Sequence, residues 1–149
     1  MSNLTWTCKH FDELSVHELY AILRLRSEVF VVEQNCVFLE MDNKDQECFH
    51  LMGLNGDLLA AYARLVPKNV TFSYISIGRI VTSPAFRRKG AGKDLLAKSI
   101  DYCEQLFGRQ PIKIGAQLYL KQFYEQFGFK QTGDVYLEDG IDHIHMIRD

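Results

Sequence analysis

The order of its predicted elements assigns this 149-residue chain to the α/β (α+β) class, with a mixed, mostly antiparallel sheet. Hydrophobic periodicity predicts a strand, a helix, three strands, a helix, a strand, a helix and two final strands. The turn sequence Asn55-Gly56-Asp57 joins two neighbouring strand patterns and predicts an antiparallel hairpin. A strand, a basic glycine loop and a helix follow one another over residues 75–107, and such a crossover makes the next strand parallel to the one before it.

Composition bounds the domain organisation and the classes of partner. The length predicts one domain over residues 1–149, and 47% hydrophobic with 24% charged residues is ordinary for a globular protein. The net charge of −2 indicates no nucleic-acid partner, and neither a signal peptide nor a membrane-spanning run is visible. The four cysteines lack C-x-x-C spacing, so we expect reduced thiols in the cytoplasm and no metal site.

The first strand is predicted at residues 4–8 and is followed by a helix with a clear start. Ser15 is its predicted N-cap, and Glu18 completes a capping box. Between Glu28 and Glu47 the chain then carries six acidic residues and one lysine. These carboxylates form either a solvated irregular loop, which is the interpretation we favour, or an acidic lip that attracts a cationic amine.

The central strands are predicted at residues 48–54, 58–66 and 70–81, as a meander. Gly78 in the third strand indicates a bulge or a close approach of the backbone. Arg79 follows it and is either a buried partner of one of the acidic residues or a pocket residue. The antiparallel part of the sheet therefore precedes the glycine loop.

The loop after this meander has the composition of an anion site. Four cationic side chains and two glycines lie within seven residues, before a helix predicted from Asp94 to its cap at Gly108. Glycines let backbone amides turn toward a ligand, and a helix N-terminus adds partial positive charge, so a phosphate or pyrophosphate is the expected ligand. Neither the P-loop pattern nor the dinucleotide-binding glycine pattern fits the spacing. The loop consists of Arg87, Arg88, Lys89, Gly90, Ala91, Gly92 and Lys93.

The remaining elements are a strand at residues 112–116, a helix at 118–127, and two strands at 130–136 and 144–148. A turn at Glu138-Asp139-Gly140 joins the last two strands.

Two motifs in this order resemble those of the GCN5-related N-acetyltransferase (GNAT) superfamily. The pattern R-x-x-G-x-G, formed by Arg87, Gly90 and Gly92 directly after a strand, resembles the coenzyme A pyrophosphate loop of these enzymes. The sequence FYEQFGF at residues 123–129 resembles their second conserved element, in which the tyrosine points at the coenzyme A sulfur. Segments along nearly the whole chain resemble the ElaA-like branch of this superfamily: Arg26-x-x-Val29-Phe30-Val31-Val32-Glu33-Gln34, His50-Leu51, Ile77-Gly78-Arg79-Ile80, Gly115-Ala116-Gln117 and Glu138-Asp139-Gly140-Ile141-x-His143-Ile144.

The resemblance implies a mixed sheet with helices on both faces, splayed at an acetyl-CoA site. It also implies acetyl-CoA as the acyl donor and direct transfer of the acetyl group in a ternary complex, without an acyl-enzyme. Backbone groups of a strand would pair with the pantetheine arm, and the amides of residues 88–93 would hold the pyrophosphate. The cofactor-binding residues implied are Ile80, Val81, Thr82, Arg87, Arg88, Lys89, Gly90, Ala91, Gly92, Lys93, Gln117 and Phe123.

Three residues are candidates for proton transfer. The resemblance makes Tyr124 the general acid that protonates the leaving thiolate, and the alternative is a packed aromatic ring with a solvated hydroxyl. Glu33 and His50 are candidate bases for an attacking amine, although a lone histidine in a strand more often has a structural role, which is the alternative for His50. His143 and His145 share one face of the last strand and either line the acceptor pocket or, as we favour, lie exposed on the sheet face.

The expected function is therefore transfer of an acetyl group from acetyl-CoA to a primary amine of a small molecule or a protein. A non-catalytic acyl-CoA-binding regulatory module and an enzyme with a longer or carrier-linked acyl donor are the alternatives. The acidic segment favours a cationic acceptor. We expect a cytoplasmic monomer or homodimer without nucleic-acid or membrane partners.

Overall fold

The structure, a computed structural model, describes residues 3–149, which form seven strands and three α-helices. Short 3-10 turns and one π-helical segment, Ser27–Glu33, connect them. The strands are β1 Thr5–His10, β2 Phe49–Asn55, β3 Leu58–Val66, β4 Ser76–Thr82, β5 Ile112–Gln117, β6 Phe129–Glu138 and β7 Ile141–Arg148. The helices are α1 Val16–Arg26, α2 Ala91–Phe107 and α3 Lys121–Glu125.

The strands form two antiparallel sheets that meet at one point. One sheet has the strand order β1-β2-β3-β4, and the other has the order β5-β7-β6. Ile75, directly before β4, makes a parallel bridge with Ile112 of β5, and the Lys113 N–H donates to the Ile75 carbonyl at 3.0 Å. Beyond this bridge β4 and β5 do not pair, so the two sheets diverge. The predicted mixed, mostly antiparallel architecture with a parallel crossover is confirmed.

Helices cover both faces of the first sheet. Successive residues of β3 point to opposite faces, so that Tyr62 packs in one apolar cluster with α1 and Ala63 packs in the other with α2. Residues from α2 in the larger cluster are Leu95, Leu96, Ile100 and Cys103. The expectation of helices on both faces is confirmed. No helix among residues 3–149 combines the length and apolar character that crossing a membrane requires.

The sequence predicts the start of α1 better than that of α2. The Ser15 hydroxyl accepts from the Glu18 N–H at 3.0 Å, and the Glu18 carboxylate accepts from the Ser15 N–H at 2.8 Å, which confirms the capping box. α2, in contrast, begins at Ala91 instead of the predicted Asp94. Gly90 is the N-cap and has a left-handed φ of +78°, so the residues after it already belong to the helix.

Several strand boundaries also differ from the prediction. β4 begins at Ser76 instead of residue 70, because the chain turns at Asn69, where φ is +68°, and bends through the residues that follow. The ring of Phe72 in this connection packs edge-on against His145, with 5.3 Å between ring centroids. The β-forming residues of this segment therefore make a tertiary contact instead of a strand. At the other end of the chain, α3 is shorter than predicted, and β6 and β7 extend to the predicted turn at Asp139-Gly140.

Two strands are interrupted beside the wedge between the sheets. In β4, Tyr62 pairs with Val81 but Arg64 pairs with Gly78, so the bulge lies at Arg79, one residue after the predicted position. Arg79 has a φ of +52°, a conformation that non-glycine residues rarely adopt. A second interruption in β6 lies between Thr132 and Tyr136. Both irregularities direct side chains toward the wedge.

Substitution of Gly53 by alanine is expected to destabilise the fold by about 1–3 kcal/mol. Gly53 of β2 lies opposite Trp6 of β1, and a Cβ atom at this position would lie 2.6 Å from Cζ3 of the indole ring. Gly78→Ala is the matched control, because a Cβ atom on that strand glycine meets nothing within 4 Å. Urea unfolding of both variants measures the difference, and equal unfolding free energies would contradict the clash.

Candidate active site

A cavity of about 970 Å³ fills the wedge between the diverging sheets. β4 forms one wall, and β5 with the β6–β7 hairpin forms the opposite wall. The segment after α1 closes the cavity, since Gln117 Nε2 donates to Gln34 Oε1 at 3.3 Å and the Cys36 thiol donates to the Asp139 carbonyl at 3.3 Å. The volume lies within the roughly 300–1,000 Å³ that is usual for small-molecule sites.

The β4 wall presents main-chain groups to this cavity. Ile80, Val81 and Thr82 line it, directly after the bulge at Arg79. β4 is the edge strand of its sheet, so its N–H and carbonyl groups on the side of β5 have no strand partner. An extended ligand with amide groups can therefore bind there in the manner of an added strand.

The basic loop lies between β4 and the start of α2. Arg88 has a φ of +64° and Gly90 a φ of +78°, and these two left-handed residues turn the chain into the helix. The first N–H groups of a helix have no partner within it, and α2, with 17 residues, also contributes its dipole. A Cβ atom on Gly92 would meet nothing within 4 Å, so space is open above the first turn. This geometry suits an anionic group such as a pyrophosphate.

Arg87 of this loop is paired with Glu33 across the mouth of the cavity. Both guanidinium nitrogens Nη1 and Nη2 donate to the carboxylate at 2.6 Å, and both side chains are about 40% exposed, at 39% for Arg87 and 41% for Glu33. The hydrogen bonds from Arg87 hold the pKa of Glu33 below its usual range. The structure therefore brings these two predicted residues together, and it makes the Glu33 carboxylate a weaker base than a free one.

Tyr124 of α3 lines the same cavity from its inner end and is only 6% exposed. Its hydroxyl makes no hydrogen bond with residues 3–149. Burial raises the pKa of this hydroxyl, so it carries its proton at neutral pH. An unpartnered hydroxyl that keeps its proton is suited to donate that proton to a ligand in the cavity.

Comparison with known proteins identifies the family. A family model described as "Acetyltransferase (GNAT) domain" matches residues 15–149. This chain belongs to the GNAT acetyltransferase family. Protein ElaA of Escherichia coli (strain K12) is 40% identical over 148 residues, which cover 98% of this chain and 97% of ElaA. The ElaA-like branch of the GNAT family is thereby supported as well.

Solved structures agree with this assignment. A crystal structure of an acyl-CoA N-acyltransferase from Pseudomonas aeruginosa matches with a TM-score of 0.94 and 42% identity, over 99% of this chain and 100% of that chain. The crystal structure of Escherichia coli ElaA matches with a TM-score of 0.91 and 40% identity, over 98% and 99% of the two chains. A GNAT family acetyltransferase from Elizabethkingia anophelis with acetyl-CoA bound, at a TM-score of 0.68 and 16% identity over 100% and 99% of the two chains, shares the fold. The protein is thus an acyltransferase of the GNAT family.

Of the residues predicted for the GNAT site, loop residues 88–93, His50 and Phe123 lie outside the cavity lining, and the last two belong to the protein interior. His50 is fully buried, its Nδ1 lies 2.6 Å from the Tyr62 hydroxyl, and its Nε2 lies 2.9 Å from the Asp45 carbonyl. Both ring nitrogens are occupied by protein groups, so His50 has the structural role that was its alternative. Phe123 packs against the apolar core, and its ring lies edge-on to that of Tyr124 with 5.3 Å between ring centroids. Phe123 therefore contacts Tyr124 from the core and does not reach the cavity.

The acidic segment forms neither the fully solvated loop that was the favoured expectation nor a free negative lip, since Glu40 and Asp45 are buried. Five of its six carboxylates pair with arginines, and only Glu47 is exposed without such a partner among the described residues. Arg79 satisfies both of its predicted alternatives, since it lines the cavity and donates to Glu40 and Asp42. The other arginine partners in this segment's ion pairs are Arg24 for Glu28, Arg87 for Glu33, Arg26 for Glu40 and Asp45, and Arg64 for Asp42 and Asp45. The segment therefore carries little unpaired negative charge, and the sequence argument for a cationic acceptor loses most of its support.

The sequence reasoning missed one wall of the site. Tyr136 of β6 lies in the cavity lining together with His143 and His145, for which exposure on the sheet face was the favoured expectation. His143 is only 8% exposed. Gly133 could have indicated this wall from the sequence, because a glycine inside a strand pattern indicates an interruption that changes the direction of neighbouring side chains. In the structure its φ is +74°.

The cysteines of the apolar core are not nucleophiles. Burial raises the pKa of Cys48 to about 11 and that of Cys103 to about 12. Both thiols stay protonated at neutral pH and lie outside the cavity lining, so neither supplies a thiolate to this site.

Proposed function

We propose that this protein transfers the acetyl group of acetyl-CoA to a primary amine by direct attack in a ternary complex. The observation that carries the proposal is the cavity itself. It joins the open edge of β4 and the unpartnered hydroxyl of Tyr124, and its mouth at Arg87 leads to the N-terminus of α2. A pyrophosphate site, a strand-like binding edge and a proton donor in this order match the three parts of an acyl-CoA.

The residues present fit this co-substrate. Amides of the loop and of the first turn of α2 would hold the pyrophosphate, with Arg87 at the mouth of the cavity. The main chain of residues 80–82 would pair with the pantetheine arm, and Gln117 on the opposite wall can exchange its contact with Gln34 for one with the ligand. An amide near Ile80 or Val81 would polarise the thioester carbonyl as an oxyanion donor.

The chemistry follows from groups that this cavity holds, together with solvent. A neutral amine attacks the thioester carbonyl carbon, the C–S bond breaks as the C–N bond forms, and the hydroxyl of Tyr124 gives its proton to the departing sulfur. The attacking nitrogen loses one N–H proton to a base or to solvent, and solvent returns a proton to the tyrosinate. Holding the amine and the thioester together can contribute up to roughly 7–11 kcal/mol to the rate. Because the carboxylates of residues 28–45 are paired, we propose a primary amine as the acceptor without requiring a second positive charge.

A titration followed by a turnover screen tests this function. Acetyl-CoA and coenzyme A are each added to the purified protein, and the melting temperature is expected to rise because both bind only the folded state. Thiol release is then followed with putrescine, L-lysine, glycinamide and 2-phenylethylamine as acceptors and with acetyl-CoA or longer acyl-CoA as donors.

Each outcome of this experiment decides something. A rise in melting temperature with amine-dependent thiol release supports the proposal. A rise without thiol release for any acceptor identifies a non-catalytic acyl-CoA-binding module instead. No rise at millimolar ligand contradicts the assignment of the loop, and faster turnover with longer acyl-CoA contradicts the acetyl donor.

Gly92→Glu is expected to weaken coenzyme A binding at least about tenfold, since it replaces open space beside helix amides with a carboxylate. The substitution leaves the free protein folded, because a Cβ atom at Gly92 meets nothing within 4 Å. Gly92→Ala is the control and adds the Cβ atom without the charge. Calorimetry measures both dissociation constants, and an unchanged value for Gly92→Glu would contradict a pyrophosphate at this turn.

A further inference from the structure

The wall opposite β4 carries a set of polar side chains on one sheet face. In the pairing of β5 with β7, Gly115 lies opposite His145 and Gln117 lies opposite His143. Directly paired residues of antiparallel strands point to the same face, so these four positions face the cavity together. The buried residues between them point to the core on the other face. This wall therefore faces the place where an acceptor would meet the thioester.

The interruption in β6 adds Tyr136 to this wall. Thr132 pairs with His145 and Tyr136 pairs with His143, so the bulged strand has extra residues between the two pairs. The ring of Tyr136 lies 4.7 Å from that of His145 between centroids. Its hydroxyl lies 3.0 Å from the point where a Cβ atom on Gly115 would stand, so a side chain there would crowd this hydroxyl.

His145 is distinguished from the other histidines near the site by its free nitrogens. His50 uses both ring nitrogens, and His143 Nδ1 lies 2.7 Å from the Ile141 carbonyl. Within residues 3–149 neither nitrogen of His145 has a hydrogen-bond partner. Its half-buried ring is held instead by aromatic contacts with Tyr136 and Phe72. A fixed imidazole with unpartnered nitrogens in a cavity is arranged to bind a ligand.

We propose that His145 is the base that takes a proton from the acceptor amine, with Tyr136 packed against it as a positioning residue. The proposal rests on the proposed function and assigns the proton that Glu33 and His50 were expected to take. The amine nitrogen attacks the carbonyl carbon. As the C–N bond forms and the C–S bond breaks, one N–H proton passes to His145 and the Tyr124 proton passes to sulfur. Solvent then removes the proton from the imidazolium and returns one to the tyrosinate, so the amide and the thiol are the net products.

The charges around His145 keep it in the form that accepts a proton. Burial lowers the pKa of His145, and the nearby ammonium of Lys113 on β5 lowers it further, while Glu138 on β6 opposes them. The ring of Tyr136 on β6 also contacts it, and His143 shares its face of β7. His145 is therefore neutral at pH 7. Glu33, in contrast, is held by Arg87 as an ion pair.

The test is the pH dependence of kcat/KM for the most active amine of the panel, expressed per concentration of unprotonated amine. For the wild type this quantity is expected to be flat near neutral pH and to fall in acid, at a pH below the ordinary imidazole pKa of about 6.5, because the pKa of His145 is lowered. For His145→Gln it is expected to be about 10²-fold lower, with no fall in this range. His143→Gln and Glu33→Gln are the comparison variants, and both are expected to keep the acidic fall.

Acetyl-CoA binding, followed by melting temperature, is measured on every variant and is expected to be unchanged for His145→Gln. A His145→Gln enzyme that turns over with the wild-type rate and pH profile overturns the role of His145 and leaves the proposed function intact. Loss of the acidic fall in Glu33→Gln instead assigns the base to Glu33 and also overturns it. A wild type that binds acetyl-CoA but acetylates no amine overturns both proposals.

Discussion

Replacement of Tyr124 by phenylalanine is expected to lower kcat by about 10²–10⁴-fold, the usual contribution of a general acid. The hydroxyl is the only group removed, and it has no hydrogen-bond partner among residues 3–149 whose loss would disturb the fold. The ring packs edge-on against Phe123 and Phe129, and phenylalanine preserves both contacts. The effect should therefore appear in kcat, while the dissociation constant of acetyl-CoA stays unchanged.

Thiol release at saturating acetyl-CoA and amine measures this prediction. Tyr102→Phe is the matched control, since Tyr102 of α2 lies against the core and outside the cavity lining. A kcat of Tyr124→Phe within a factor of about two of the wild type would show that Tyr124 is only a packed aromatic side chain, since a general acid contributes far more than that. The leaving thiolate would then take its proton from water.

The parts of the site that depend on neighbouring residues could be predicted from the sequence. Arg87, Gly90 and Gly92 are close in the chain, and the proposed anion site needs only a turn and a helix start, both of which are local, although the helix begins three residues earlier than predicted. The capping box at Ser15 and the hairpin turn at Asp139-Gly140 were predictable for the same reason. Glycine and capping residues determine the local backbone geometry through interactions within a few residues, so this geometry does not depend on tertiary contacts.

The parts that depend on distant contacts could not be predicted. A count of six carboxylates and one lysine suggested a negative surface, but the arginines that neutralise Glu40 lie 14 and 39 residues away. The surroundings of His50 could not be predicted because its strand pattern does not say what covers each face, and the groups that occupy its nitrogens, the Tyr62 hydroxyl and the Asp45 carbonyl, belong to other segments. Tyr136 was missed because an interruption in β6 changes its direction. In each case the deciding energy comes from tertiary contacts.

Asp45→Asn is expected to lower the free energy of unfolding by about 3–5 kcal/mol, the cost of breaking a buried ion pair on one side. Asp45 receives hydrogen bonds from Arg26 at 2.8 and 3.2 Å and from Arg64 at 2.9 Å. Arg26 is fully buried and Arg64 is only 4% exposed, so neither cation can turn to water when the carboxylate is lost. Asparagine keeps the size and shape of the side chain and removes its charge. Glu47→Gln is the control, and it is expected to change stability by less than about 0.5 kcal/mol.

The pH dependence of the difference in unfolding free energy between wild type and Asp45→Asn shows whether the lost charge or a change in packing causes the destabilisation. Burial by itself raises the pKa of Asp45, but the hydrogen bonds and charges of Arg26 and Arg64 outweigh it and hold the pKa below its usual value. A carboxylate of this kind contributes its full stabilisation above its unfolded-state pKa of about 3.9 and loses it as the pH falls toward the folded-state pKa. The gap in unfolding free energy between wild type and Asp45→Asn should therefore be constant from pH 5 to 7. Below about pH 4 it should close by roughly 1.4 kcal/mol per pH unit. Urea unfolding at pH 7 and pH 3 measures it, and a gap of equal size at both would show that the asparagine disturbs packing and that the ionised carboxylate is not what holds the segment in place.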